Sequence, residues 1–184
     1  LYGAYLSKHN DVTMLDVYEP QVETINQNGI TVLEEDSTEQ HFSGIRAMKS
    51  GTCKEVADLV IVFVKSTHTE SSLEENKDLF GENTLVMTLQ NGAGNDRKIA
   101  KYVRTENIII GTSKHNSVNL GGGKIRHSGN GVTTIGSNLE ENIHLQTVAD
   151  LLTEAGFQSA VSDDIQRIIW SKLFVNLSIN TFTA

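Results

Sequence analysis

The sequence predicts an α/β fold built on a doubly wound parallel sheet, and three observations carry that expectation. Residues 59–64 are a continuous apolar run, the pattern of a strand covered on both faces, and the largely apolar 84–89 reads as the next buried strand. Helix-like stretches with glycine stops lie between such runs, and strands that alternate with helices are what parallel pairing requires. The runs end in polar residues, Lys65-Ser66-Thr67 and Gln90-Asn91-Gly92, and ligands of open parallel sheets sit outside the carboxyl ends of the strands.

Taken in order, residues 1–8 predict a short helix whose Gly3 and Ala4 let it lie close against a sheet. His9-Asn10-Asp11 turns the chain, and residues 12–15 form a strand ending in Asp16. Pro20 suits a first helical turn, and Asn28-Gly29 is a stop signal, so residues 20–28 are expected to be helical. Three short extended pieces follow at residues 30–34, 40–42 and 44–48. Residues 59–64 are then expected as a central parallel strand, 71–80 as a helix closed by Gly81, and 84–89 as the next buried strand. The loop Gln90-Asn91-Gly92-Ala93-Gly94-Asn95 leads into a helix reaching about Val103, and residues 107–111 form a third strand. Beyond Gly111 the chain stays extended to Val118 and turns at Gly121-Gly122-Gly123. Residues 124–127 and 132–136 are expected to pair antiparallel around Ser128 to Gly131. A helix over 141–155 and a strand over 157–161 complete this part.

The last stretch is a helix capped by Ser162, Asp163 and Asp164, whose carboxylates complement its positive end. Its apolar residues, Ile168, Ile169, Leu173, Phe174, Val175, Leu177 and Ile179, are expected to bury most of its circumference. Lys172, Asn176 and Asn180 recur every fourth position, and at ~100° per residue each step turns the helix by only about 40°. One wall therefore presents an ammonium and two amides, groups that need partners or a ligand when they leave water.

Composition narrows the function. The chain has 184 residues, a formal net charge of −8 and a pI near 5.2, which argues against a nucleic-acid surface because phosphate binding needs concentrated Lys and Arg. Its longest apolar run, residues 59–64, is far short of the ~20 residues that span a bilayer, so no membrane partner is expected. Cys53 is the single cysteine; it forms no intrachain disulfide, reads as a small buried hydrophobe, and points to the cytoplasm. No metal-ligating set is expected.

The candidate ligand residues each have a plainer alternative. Asp16 lies where a dinucleotide fold places an acid on the adenosine ribose, or it caps the following turn. Lys65 is a candidate anion contact or an exposed strand end. The Asn91–Gly94 loop lets backbone approach a ligand, or is a simple turn with a helix cap. Lys172 serves chemistry or reaches to solvent.

Taken together, Leu1-Tyr2-Gly3-Ala4-Tyr5-Leu6, Val64-Lys65, Gln90-Asn91-Gly92-Ala93-Gly94, the stretch from Gly123-Lys124-Ile125-Arg126-His127-Ser128-Gly129 through Ile135-Gly136, and Ile169-Trp170-Ser171-Lys172-Leu173 with Asn176 and Asn180 resemble ketopantoate reductases. The resemblance covers essentially the whole chain and implies a Rossmann-like domain over residues 1–161, followed by the first helix of an all-α C-terminal substrate domain over 162–184. It implies truncation at both ends, with the first strand and glycine loop upstream of Leu1. The implied activity is NADPH-dependent reduction of ketopantoate to pantoate. Lys172 is implied as the general acid, Asn176 and Asn180 as substrate amides, and Asn91 as a residue shared by substrate and cofactor. Lys65 and Asn116 are implied as cofactor contacts, and Gly3 matches the fourth glycine of the phosphate-binding run. Val17 stands where an arginine for the 2′-phosphate is common in the family. Asp16 opposes that phosphate and favours NAD, while Lys65 can still pair with it; the resemblance keeps NADP as the expected cofactor, with NAD open. The expected partner is a small-molecule 2-oxo acid, and a homodimer is the assembly to test. The competing readings are a reductase of another branched 2-oxo acid and a non-catalytic dinucleotide-binding module.

Overall fold

A computed structural model describes the backbone of residues 1–182 and the side chains of residues 1–175. The first half comprises α1 (Tyr2–Leu6), β1 (Thr13–Asp16), α2 (Glu19–Asn28), β2 (Ile30–Leu33), β3 (Glu39–Phe42), β4 (Arg46–Lys49), β5 (Leu59–Val62), α3 (Thr69–Glu75) and β6 (Leu85–Thr88). There follow α4 (Asn95–Ile99), β7 (Ile108–Ser113), β8 (Asn116–Gly121), β9 (Lys124–Gly129), β10 (Thr133–Gly136), α5 (Leu145–Glu154), β11 (Ser159–Val161) and α6 (Ile165–Phe182). Short 3₁₀ turns at Ser66–His68, Lys77–Leu79 and Thr105–Asn107 join some of them.

Two compact units emerge. The first comprises residues 1–53, 114–133 and 150–159, and the second 54–113, 134–149 and 160–184. In the first, β1 pairs parallel with β4, and a mixed sheet runs in the order β3-β2-β9-β8. Helix α1 lies as close to β1 as its small residues allow: a Cβ added at Gly3 would sit 3.1 Å from Met14 Sδ. Cys53 is buried here as a free thiol. In the second unit a five-stranded sheet runs β11-β10-β7-β6-β5, with β5, β6 and β7 mutually parallel. Val62, Leu73, Val86, Ile99, Ile108, Ile110, Ile165 and Ile169 form its core, each such burial contributing about 1.5–3 kcal/mol. The parallel α/β architecture is as expected, while the mixed sheet of the first unit is an addition to it.

Four expectations need correction. The run 59–64 is not a central strand: only Leu59–Val62 join the sheet, at its edge beside β6. Phe63 and Val64 leave it and are exposed, so the apolar run overstates the cover. Residues 124–127 do not pair with 132–136. Strand β9 pairs antiparallel with β8 and parallel with β2, because the tight turn is Gly121-Gly122-Gly123, all at positive φ, a conformation that glycine adopts without steric cost. Strand β10 joins the other sheet. Helix α5 begins at Leu145, where the Asn142 side chain accepts from His144 N–H and ends the preceding turn. Up to Val175 helix α6 is not buried over most of its circumference: Ile165 and Ile169 reach the core, but Trp170, Phe174 and Val175 are 47%, 63% and 56% exposed, while the side chains of Leu177 and Ile179 lie outside the described residues. The cap at its start is as expected, with Asp164 Oδ1 accepting from Arg167 N–H at 3.1 Å.

Candidate active site

In the second unit the carboxyl ends of β5, β6 and β7 converge on one edge, and the polar residues that follow each strand are tied together there. Gln90, two residues beyond β6, is the centre of this arrangement. Its Nε2 donates to the Val64 carbonyl just past β5 and, at 3.0 Å, to Thr69 Oγ1, while its Oε1 accepts from Thr88 Oγ1 at 3.0 Å. A single amide thus fixes the ends of two strands and the start of α3. Lys98 Nζ on α4 donates to the Ser66 carbonyl at 2.6 Å, which holds the segment that carries exposed Lys65.

Lys172 comes to the same edge from α6. Its Nζ donates to Thr112 Oγ1 and to the Ser113 carbonyl, both at 2.9 Å, so the plain alternative of an ammonium reaching only to solvent is set aside. A hydroxyl and a backbone carbonyl thus fix the ammonium at the end of β7. Lys65, Lys98 and Lys172 stand at this edge, with the carboxylates of Glu70 and Asp96 also nearby.

Asn91 is exposed in the turn after Gln90. The turn adopts φ of 94° at Gly92 and 86° at Gly94, and nothing lies within 4 Å of a Cβ added at either position. Glycine is required there for backbone conformation, and the space over the turn is open, which fits close approach of a ligand. Lys65, Asn91 and Lys172 are therefore brought to one edge of one unit. Asn176 and Asn180 follow Lys172 on α6, but their side chains lie outside the described residues.

Gly3, Asp16 and Asn116 belong to the other unit. Asp16 ends β1, and its Oδ1 accepts from Tyr18 N–H at 2.9 Å, so it caps the following turn. It also lines a pocket of about 260 Å³ with Tyr18, Gln21 and Asn119 over an apolar floor. Asn116 opens β8, exposed, opposite Gly129. Gly3 packs on Met14.

The same unit holds a buried polar chain that sequence reading missed. Glu34 accepts from Tyr5 Oη–H, from Gln40 Nε2 and from the His127 Nδ1 side at 2.9 Å, and His127 Nε2 lies 3.1 Å from His115 Nδ1. Burial, then the hydrogen bond to Glu34 and its charge, raises the Tyr5 phenol above its usual range; burial, then the charge of His127, lowers the His115 imidazole. Glu34 stands on one segment and its partners on three others, so no local spacing announces them. Gln90, Thr112 and Ser113 were missed as Lys172-edge residues for the same reason, although their position at strand ends was legible.

The family model for ketopantoate reductase PanE/ApbA matches residues 1–140. A 2-dehydropantoate 2-reductase of Halobacterium salinarum is 32% identical over 184 residues, covering 99% of this chain and 60% of that protein. A 2-dehydropantoate 2-reductase of Streptococcus pyogenes is 30% identical over 185 residues, with 100% and 59% covered. Among solved structures, a 2-dehydropantoate 2-reductase from Geobacter metallireducens superposes with a TM-score of 0.86 at 29% identity, covering 95% of this chain and 58% of that one. A ternary structure of D-mandelate dehydrogenase with NADH and anilino(oxo)acetate gives a TM-score of 0.88 at 26% identity, with 95% and 57% covered. The chain thus spans about 60% of the length of the curated relatives it matches.

Proposed function

Because the chain belongs to the ketopantoate reductase PanE/ApbA family, we propose that the protein of which it forms part is a 2-dehydropantoate 2-reductase, reducing ketopantoate to pantoate with NADPH. The observation that carries this reading is Lys172, an ammonium held by Thr112 and Ser113 at the end of a parallel strand, on the edge that also bears Asn91. A nicotinamide cofactor, when bound, supplies the hydride that adds to the carbonyl carbon of the 2-oxo acid. The electron pair of the C=O π bond then moves to oxygen, and Lys172 Nζ stabilises that charge and donates a proton to it, giving the hydroxyl. The neutral amine left behind recovers its proton from solvent. Asn176 and Asn180, on the Lys172 face by helical spacing, are read as amides that orient the substrate without adding charge. Asn91 is read as a contact of both ligands.

For the cofactor, the open turn at Gly92 and Gly94 fits a close backbone approach. Asp16, at a strand end and beside a 260 Å³ pocket, fits the ribose of an adenosine. Lys65 and Asn116, both exposed, are read as further contacts, and Gly3 as the residue that lets α1 pack behind a phosphate loop. Residues 1–161 are read as the dinucleotide-binding domain, and 162–184 as the start of a helical substrate domain whose packing would cover Trp170, Phe174 and Val175. A homodimer and a cytoplasmic location belong to the same reading, testable by sedimentation and cell fractionation.

A second reading has its own support. Asp16 followed by Val17 disfavours a 2′-phosphate, and the D-mandelate dehydrogenase structure contains NADH. This reading is an NADH-dependent reductase of another 2-oxo acid. The deciding experiment assays the full-length protein with ketopantoate and with an aryl 2-oxo acid, each with NADPH and NADH. A kcat/KM highest for ketopantoate with NADPH supports the main reading; a maximum for the aryl acid with NADH replaces it.

A further inference from the structure

Asn95 is the first side chain after the Gln90–Gly94 turn that points inward. It is 4% exposed, and neither its Oδ1 nor its Nδ2 has a hydrogen-bond partner among the described residues. Buried amides in folded proteins are paired with protein or with ordered water. Asn95 lines a cavity of about 10 Å³ together with Thr88, Gln90, Gly92, Gly94 and Gln166. That is the space of one water molecule and too small for any larger ligand group.

We propose that Asn95 holds one buried water beneath this turn and, through it, fixes the position of Asn91. A buried water makes two to four hydrogen bonds. Asn95 offers it one donor and one acceptor. Gln90 lines the same cavity, and its Oε1, which accepts from Thr88 Oγ1, keeps a second lone pair that can take a third. The turn above has little else to hold it: Asn91 and Ala93 are exposed, and Gly92 and Gly94 bring no side chain. Asn95 is therefore a positioning residue, acting on Asn91 through the water. The role given to Asn91 rests on the reductase reading, whereas the water does not.

The first test is a crystal structure of the full-length protein that resolves ordered solvent. The expected result is a water about 2.7–3.2 Å from both Asn95 Oδ1 and Nδ2; a dry cavity, or Asn95 paired directly with another protein group, overturns the proposal. The second is kinetics of Asn95→Leu, which keeps the volume and removes both polar atoms, and of Asn95→Asp, which keeps only acceptors. For Asn95→Leu the substrate KM is expected to rise about tenfold, the scale of a lost hydrogen bond, with kcat within about threefold. For Asn95→Asp a smaller rise is expected. An unchanged KM in both variants removes the positioning role. Should Asn95→Leu fail to fold, Asn95→Asp and the wild-type structure still decide the matter. A full-length protein that holds the water but reduces no 2-oxo acid refutes the reductase reading and leaves the water site standing.

Discussion

The two units place their polar groups in opposite ways. The first buries them: Tyr5, Glu34, His127 and His115 form a continuous hydrogen-bonded chain inside it. The second brings them to an edge: Lys65, Asn91 and Lys172 stand at the ends of parallel strands, held by backbone carbonyls, hydroxyls and the Gln90 amide. Parallel strands explain the contrast, because their carboxyl ends all face one way and leave polar termini side by side, whereas a mixed sheet alternates its ends. Buried polar groups stabilise only while fully partnered; groups at an open edge remain available to a ligand. Substitutions in the first unit should therefore act on stability, and those at the strand-end edge on turnover.

The largest effect is expected at Lys172. In the full-length protein Lys172→Ala should lower kcat by ~10²- to 10⁴-fold, the range of general acid catalysis, with cofactor affinity nearly unchanged. Steady-state kinetics combined with fluorescence titration of the cofactor checks both halves; a loss below tenfold with chemistry rate-limiting takes Lys172 out of that role.

Next comes Glu34→Ala, which strands Tyr5 and His127 inside the first unit. Leaving buried partners unsatisfied costs about 1–3 kcal/mol each, so urea denaturation should show the midpoint falling clearly while the kcat of the folded fraction stays near wild type. A variant as stable as wild type, or one that loses turnover without stability, breaks the division of labour between the units.

Cofactor choice should respond more modestly. Asp16→Asn is expected to move the ratio of catalytic efficiencies toward NADPH and Lys65→Ala toward NADH, each by more than about threefold. Measuring both cofactors at one ionic strength would show it, and a ratio that stays put in both variants separates these residues from the adenosine ribose.

The smallest expected effect is a pH dependence of stability from His115. Its folded pKa is lowered below 6.5 by burial and by His127, so the unfolded chain takes up the proton first as pH falls. The stability contribution is complete above about pH 6.5 and declines below it, levelling once the folded form also protonates. Thermal unfolding across pH 5–8 should show this slope in the wild type and a flatter one in His115→Gln.

Much of this molecule was legible in the sequence because the signals are local. Apolar stretches marked the three mutually parallel strands β5, β6 and β7, Pro20 and Asn28-Gly29 bounded α2, the Asp164 cap started α6, and Gly3 announced the close packing of α1. Strand ends also located Lys65, Asn91 and, from α6, Lys172. Pairing was another matter, since an extended segment carries its own alternation but no record of its neighbour. Only the tertiary structure decided that β9 joins β8 and β2, that β5 lies at an edge, and that β10 belongs to the other sheet. The same holds for the hydrogen bonds that give the site its shape. Gln90 meets Val64 and Thr69, Lys172 meets Thr112, and Glu34 meets His127 across 26, 21, 60 and 93 residues of sequence, distances over which no spacing rule reaches and only folding selects the partner.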